Sequence, residues 1–486
     1  MVRSLSNLYS RRLSALLSGK GFFIILFEMN TKVLDAPRVS FYTVGCRLNQ
    51  AETSLLQDGF RKKGFIPVPY GQQTDLLVVN SCTVTEGAES DCRRVVRQVL
   101  RHSPQAFVAV TGCFAQTGLE VLRQVEGIDL IVGNQFKMRL PDILPPETRL
   151  TKQPSPLVHH GRMNPENFLI AGVGEYDTTR ANLKIQDGCQ FMCTFCLIPF
   201  ARGRERSRVR EDALREAEAL VERGHREVVL TGVNIGQYED HGKNVLGLIQ
   251  DLEMIQGLDR IRISSIEPTT IPDTLLAHMA TSKKLCRHLH VPLQSGDDNI
   301  LRAMNRRYTM TDYRRWMEQA LEKVPGLCFG TDIMVGFPGE DPQAFQRTYQ
   351  VVQELPFAYL HVFSYSPRPG TAALRLPDPV PSSDIKSRSR ALHQLSVLKR
   401  QAFYQQFLGQ TVAVLFESAE EEGYWTGLTD HYVRVSVRST ASLSNQLLPV
   451  SVTGIMADRV LGLLQSSAPP SPIPLPTVAL NSLSVV

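Results

Sequence analysis

Three cysteines fall within eight residues, in the run Asp187-Gly188-Cys189-Gln190-Phe191-Met192-Cys193-Thr194-Phe195-Cys196. No other feature constrains the chain as tightly, because three thiols on one short loop need a rigid scaffold to present them. Three thiolates in a C-x3-C-x2-C spacing can ligate three irons of a [4Fe–4S] cube and leave the fourth iron without a protein ligand. Zinc normally takes four ligands in paired spacings, and no fourth Cys or His lies nearby in the sequence. Nine cysteines in 486 residues are too sparse for a secreted disulfide framework. Their grouping reads as a metal site in a reducing compartment, and the expected location is cytoplasmic.

The text around the motif alternates strand and helix. A β-rich run, Val39–Val44, ends at Gly45-Cys46. The apolar run Asp75–Asn80 ends at Ser81-Cys82, and Phe107–Thr111 ends at Gly112-Cys113. Helix-forming segments, Asn49–Lys63 and Glu86–Arg101, lie between them, which predicts a parallel α/β sheet. Ligands of open parallel sheets sit beyond the carboxyl ends of the strands, so these three turns bring three thiols to one edge. A second series starts at Ala181, with strands expected at Glu227–Thr231, Arg260–Ser265, His288–Pro292, Phe329–Val335 and Tyr359–Phe363. Six or so βα units predict a complete or partial barrel with its site at the strand C-termini. A Pro- and Ser-rich break (Pro377–Ser383) and a charged helix (Asp384–Phe407) lead to β-rich text at Thr411–Glu417, Gly423–Thr429 and Tyr432–Val437. That pattern predicts a small all-β barrel.

Net charge is only +5, so any affinity for nucleic acid has to reside in local basic runs. Ala201–Arg210 carries five arginines directly after the cluster loop, and Arg302, Arg306, Arg307, Arg314 and Arg315 form a second group; both suit phosphate contacts. Cys92, Cys286 and Cys328 fit no cluster motif and are read as structural. Met1–Glu28 is Arg- and Ser-rich with one acid, as an organelle transit peptide is, or as a leader preceding a true start at Met29. Its apolar run is too short to span a bilayer as a helix, and no other stretch is a candidate. The Pro/Ser-rich end is expected to be disordered.

Taken together, these segments resemble the radical S-adenosylmethionine (SAM) methylthiotransferases, from about Val39 to Met456. The matching text includes Thr43 to Gln50, Asn80 to Thr85, Thr111-Gly112-Cys113, Asp187 to Arg208 and Leu230 to Asn234. It continues with Arg262 to Pro268, His290 to Gly296 and Asp332 to Glu340. The resemblance implies an α/β protein in three parts: a parallel α/β cluster domain at 37–148, a partial or full radical-SAM (βα) barrel at 175–405, and an all-β TRAM barrel that binds RNA at 406–466. A leader (1–36), a linker (149–174) and a tail (467–486) complete the division. It further implies two [4Fe–4S] clusters, held by Cys189, Cys193 and Cys196 and by Cys46, Cys82 and Cys113, the second carrying the sulfur to be delivered. For SAM it points to Phe195 beside the adenine, Thr231 and Gly232 near the amino group, and Glu267 and Gln294 at later strand ends. Tyr424, Trp425 and Tyr432 offer surfaces on which bases can stack.

Within the family, Gly45-Cys46-Arg47-Leu48-Asn49-Gln50 and Ser81-Cys82-Thr83-Val84-Thr85 resemble the branch that modifies N6-threonylcarbamoyladenosine (t6A) of tRNA. The isopentenyladenosine branch typically has Gln-Met-Asn after its first Cys, and the branch acting on a ribosomal-protein aspartate has Pro-Lys-Asn. These two remain the alternatives. Ala51 stands where relatives often have Tyr, and Gln190-Phe191 replaces the usual Asn-x, which bears on fine specificity. The implied partners are the tRNA anticodon loop, whose unstacked bases are reachable, and a flavodoxin- or ferredoxin-like electron donor. The implied chemistry uses one SAM to methylate a cluster-bound sulfur and a second to generate the radical that takes hydrogen from C2 of the adenine.

Overall fold

A computed structural model describes residues 36–83, 86–144, 150–163, 168, 170, 173–174, 178–420 and 423–465. The expectations for the leader and the tail lie outside these residues, apart from residue 36. The N-terminal sheet comprises β1 (Arg38–Thr43), β2 (Ile66–Val68), β3 (Leu76–Ser81), β4 (Phe107–Gly112), β5 (Leu130–Val132) and β6 (Leu157–His159). All neighbours are parallel, in the order β2-β1-β3-β4-β5-β6. Every residue of β3 and β4 is buried, as a parallel sheet covered on both faces requires. Leu56 and Phe60 of α1 (Arg47–Lys62) pack on Leu76, Val78 and Phe107. Val95, Val96 and Val99 of α2 (Glu86–His102) cover Leu77, Val79, Val108 and Val110 on the other face.

The second series forms six strands: β7 (Arg180–Lys184), β8 (Glu227–Thr231), β9 (Arg260–Ile263), β10 (His288–His290), β11 (Cys328–Val335) and β12 (Tyr359–Ser364). β7, β8 and β9 pair in parallel, as do β10, β11 and β12. The two triples are joined by the parallel bridge Ile261–Leu285 and by the Ile266 amide bonded to the His290 carbonyl, 3.2 Å. Among the described residues no pairing joins β12 back to β7, so the barrel is partial, and α1 packs along β7 at the open side. Its outward layer is one large apolar core, from Ala181 and Val228 to Phe329 and Leu360.

The charged helix of the sequence reading spans Ser382–Gln405 and leads into a closed barrel. Its strands are β13 (Thr411–Ala419), β14 (Tyr424–Leu428), β15 (Arg434–Arg438), β16 (Leu447–Ile455) and β17 (Val460–Leu464), ordered β13-β14-β15-β17-β16. This barrel is fastened beneath the larger one, at the strand N-termini. Arg260 donates to the Leu428 and Ala413 carbonyls (2.7 and 2.6 Å), and Arg262 to those of Asp430 and Thr429 (3.0 and 2.9 Å). No helix among the described residues is long and apolar enough to cross a membrane.

Candidate active site

The first group of cysteines is assembled by three strand ends. β1, β3 and β4 lie in register, and each is followed within three residues by one of Cys46, Cys82 and Cys113. Two of the turns depend on glycine. Gly45 has φ +100°, and a Cβ there would lie 2.7 Å from the Cys82 sulfur. Gly112 also has φ +100°, and its Cβ would fall 2.3 Å from the Ser81 carbonyl oxygen. Only glycine tolerates this combination of dihedral and contact. Asn49 ties the first turn of α1 to the strand ends, donating to the carbonyls of Val44 (2.8 Å) and Ser81 (3.1 Å). Cys113 accepts from the Asn134 side-chain amide at 3.6 Å.

The second group sits on one loop after β7. Gly188, with φ +75°, opens it, and a Cβ there would be 2.0 Å from the Arg204 carbonyl oxygen. Each sulfur accepts one N–H: Cys189 from the Phe191 amide (3.5 Å), Cys196 from the Ile198 amide (3.4 Å) and Cys193 from the Arg306 guanidinium (3.4 Å). Burial pushes the Cys189 thiol up to about 11 and the Cys196 thiol up to about 12. None of the nine cysteines, all among the described residues, is in a disulfide. Six sulfurs in two groups of three, four of them facing N–H donors, form a donor set that fits iron–sulfur clusters. Cys92, Cys286 and Cys328 are buried, Cys92 and Cys328 in apolar clusters and Cys286 beside the Arg262–Glu227 pair.

A buried charge network joins the two. Glu52, on α1 six residues after Cys46, receives Lys137 (2.6 Å), Lys184 (2.7 Å) and Arg202 (3.0 Å). Asp187, two residues before Cys189, receives Lys184 (2.9 Å), Arg202 (2.9 Å) and Arg206 (3.0 Å). Burial alone would raise the Glu52 carboxyl, but Arg202, Lys137 and Lys184 hold it well below the usual range. Sequence reasoning missed this network, since Glu52 and Arg202 are far apart in the chain.

The structure corrects the reading of the arginine run. Arg202, Arg206 and Arg208 are not available to phosphate; they are 1%, 8% and 2% exposed. Arg202 reaches Glu52 and Asp187, Arg206 reaches Asp187, and Arg208 binds Asp212 (2.6 Å) and Glu216 on the helix just after it. Arg306 is likewise withdrawn: it pairs with Glu267 and reaches the Cys193 sulfur. Of the three proposed stacking aromatics, Tyr432 is turned into the base of the large barrel, its ring 4.4 Å from that of His288 and 5.8 Å from that of Tyr359. Trp425 is half-buried against the small barrel's own core, and Tyr424 is half-buried on the same strand.

The residues suggested for SAM occupy the upper rim. Phe195 meets Phe337 edge-on at 6.3 Å. Thr231 is buried and its hydroxyl donates to the Val229 carbonyl, so it is turned inward. Gly232 lies against Gln186, whose side-chain oxygen accepts from the Val233 and Asn234 amides (2.8 and 2.9 Å); a Cβ would stand 2.9 Å from it. Gln294, four residues past β10, holds φ +71° in an isolated parallel bridge to Ile333. Glu267 and Arg306 form a charged pair between this rim and Cys193, a partnership that no local pattern announces.

The chain matches the radical SAM superfamily over residues 183–352 and the uncharacterized protein family UPF0004 over residues 38–133. It is 35% identical to threonylcarbamoyladenosine tRNA methylthiotransferase MtaB of Bacillus subtilis, covering 85% of this chain and 93% of that protein. The chain belongs to the radical SAM methylthiotransferase family. A second relative, the Aquifex aeolicus protein of the same name, is 37% identical over 82% of this chain and 96% of its own length. The tRNA-2-methylthio-N(6)-dimethylallyladenosine synthase of Cereibacter sphaeroides is 32% identical over 88% and 98%. Among solved structures, the radical SAM methyltransferase TsrM of Kitasatospora setae, with cobalamin and a [4Fe–4S] cluster bound, shares the fold. Its TM-score is 0.51 at 16% identity, covering 70% of this chain and 77% of TsrM. As a radical SAM enzyme of this family, the protein works with SAM and two [4Fe–4S] clusters.

Proposed function

We propose that the protein adds a methylthio group to C2 of N6-threonylcarbamoyladenosine beside the tRNA anticodon. The observation that carries this reading is the pairing of two cysteine triads across one buried charge network, joined to text around Cys46 that resembles the t6A branch. Cys189, Cys193 and Cys196 would hold the cluster that binds SAM, and Cys46, Cys82 and Cys113 the one that carries sulfur. When bound, these groups supply the radical and the methylthio sulfur. The chain's own residues position them. The Glu52–Arg202–Asp187 network fixes the spacing between the triads, and the N–H donors at four sulfurs favour anionic ligands. Glu267 and Arg306 orient charge at the rim where Phe195, Gly232 and Gln294 would contact SAM.

The division of labour follows the chain: residues 37–148 for the sulfur cluster, 175–405 for radical generation and 406–466 for RNA. With Arg202, Arg206, Arg208 and Arg306 internal, phosphate contacts fall to exposed residues such as Arg302, Arg307 and Arg315. A flavodoxin- or ferredoxin-like protein would deliver the electrons. The test is nucleoside analysis of tRNA from cells with and without the protein. Loss of 2-methylthio-t6A in its absence supports the reading. Loss of the isopentenyl product instead moves it to the sister branch, and unchanged tRNA overturns it.

A further inference from the structure

A line of polar rings runs inside the barrel from the residue after Cys46 to the open mouth, and neither clusters nor SAM require it. Arg47, half-buried, donates through Nη2 to the Tyr432 hydroxyl at 3.0 Å. Tyr432 packs against Tyr359, whose hydroxyl bonds His288 Nε2 at 2.8 Å and lies 3.3 Å from His290 Nδ1. His290 Nε2 reaches Asp332 at 2.8 Å, and His361 Nδ1 approaches the same carboxylate oxygen at 3.3 Å. The His361 side chain is 54% exposed although it stands on the inward face of β12, so the barrel is open to solvent there.

The charges along this line do not balance at one end. Arg180 is paired with Glu417 (2.6 Å) and Arg262 with Glu227 (2.7 Å). Among the described residues no carboxylate pairs with Arg47, whose polar contact is a neutral phenol. Burial would raise the Tyr432 phenol, yet Arg47, Arg180 and Arg262 together pull it below its ordinary value, a sign of surplus positive potential. A planar guanidinium with spare N–H donors is built for a carboxylate.

The threonylcarbamoyl group carries such a carboxylate. C2 and C6 flank N1 in the purine ring, so a substituent on N6 folded over N1 lies beside the C2 edge. A reader adjoining Cys46 would therefore meet the substituent where C2 meets the sulfur. An isopentenyl group offers no charge, and docking it here would bury a guanidinium without a partner.

We infer that Arg47, with His361 across the opening, binds the carboxylate of the threonylcarbamoyl group and sets which N6 substituent is accepted. This rests on the t6A reading above and deepens it. His361 is placed for the second contact because its Nδ1 faces Asp332, leaving Nε2 toward the opening. His290 and Asp332 act as positioning residues for that ring.

The test compares anticodon stem-loops carrying t6A, its carboxamide analogue and isopentenyladenosine, using the reconstituted full-length enzyme. Wild type should prefer t6A to the carboxamide by about 10- to 100-fold in kcat/KM, the worth of one charge-assisted hydrogen bond. Arg47→Gln should cut that ratio to a few-fold, the share left to His361, chiefly through KM, and Arg47→Lys should restore part of it. His361→Ala should reduce the ratio severalfold, with iron content unchanged. Iron content of each variant is measured first. Where Arg47→Gln keeps its iron, an undiminished ratio overturns the inference. Where it loses iron, His361→Ala decides: an undiminished preference for t6A over its carboxamide, in kcat/KM and in stem-loop binding, overturns it. A wild-type enzyme that acts on the isopentenyl stem-loop and ignores t6A sinks the functional reading itself, a separate result.

Discussion

The two cysteine triads solve the same problem by opposite means. Cys189, Cys193 and Cys196 come from one loop, and the turn opened by Gly188 brings them together. Cys46, Cys82 and Cys113 are spread over three strand ends and converge only because β1, β3 and β4 hold their register. The local triad is encoded in a short piece of backbone. The dispersed one is a property of the folded sheet, and should fail whenever the sheet or its helices are disturbed.

The sharpest break between them is chemical. Replacing any of Cys189, Cys193 or Cys196 by Ala should abolish 5′-deoxyadenosine formation and methylthiolation together. Replacing Cys46, Cys82 or Cys113 should leave reductive cleavage of SAM in place while methylthiolation disappears. Either set should lower bound iron from roughly eight atoms to about four per chain, the content of two [4Fe–4S] clusters and of one. Equal loss of SAM cleavage in both sets would erase the distinction.

The joint between the triads comes next. Glu52→Ala leaves Lys137, Lys184 and Arg202 buried around a missing acid, and removing one member of a buried pair costs about 3–5 kcal/mol. Urea unfolding should show that loss. The Glu52 carboxyl is depressed in the folded state, so its contribution is fully present above its unfolded value of about 4.3 and is lost as pH falls through the folded value. Glu52→Gln should therefore remove part of the wild type's loss of stability in strong acid. A variant as acid-sensitive as wild type would assign that loss to other carboxylates.

Turn glycines test each triad separately. Gly112→Ala should cost about 1–3 kcal/mol from the left-handed backbone alone, with more from the Ser81 contact, and should deplete iron at the dispersed triad. Gly188→Ala should do the same at the local one. Iron analysis of each variant, carrying in addition a Cys→Ala change in the other triad, reads this directly. The smallest effect belongs to Asn134→Ala. It removes the N–H that faces Cys113 and should lower stability by about 0.5–1.5 kcal/mol, with SAM cleavage unaffected.

The contrast also explains what could be read from the chain. C-x3-C-x2-C is visible because its ligands are neighbours. The strand ends at Cys82 and Cys113 are legible because unbroken apolar runs precede them, and that at Cys46 because the run before it is rich in β-prone residues. β2, β5 and β6 escape notice because three residues carry no periodicity, and β17 because its apolar residues do not alternate. Arg202, Arg206 and Arg208 were misread as an RNA-facing run. Arg202 and Arg206 find their acids on other elements, and a charge whose partner is set by tertiary structure looks solvated in sequence; Arg208 finds its acids on the helix just after it. Tyr432 misled for the same reason, since its surroundings belong to the barrel it plugs.

The charge network has a further consequence, in the order of synthesis. Glu52 and Lys137 leave the ribosome together with the first sheet, but Lys184 and Arg202 follow only after the linker and the start of the barrel. Until then the nascent domain holds a carboxylate and one amine where three cations belong. Its cysteines emerge before the clamp that spaces them from the second triad exists. The charge balance around Glu52 is thus completed only by residues well beyond the first sheet, Lys184 and Arg202.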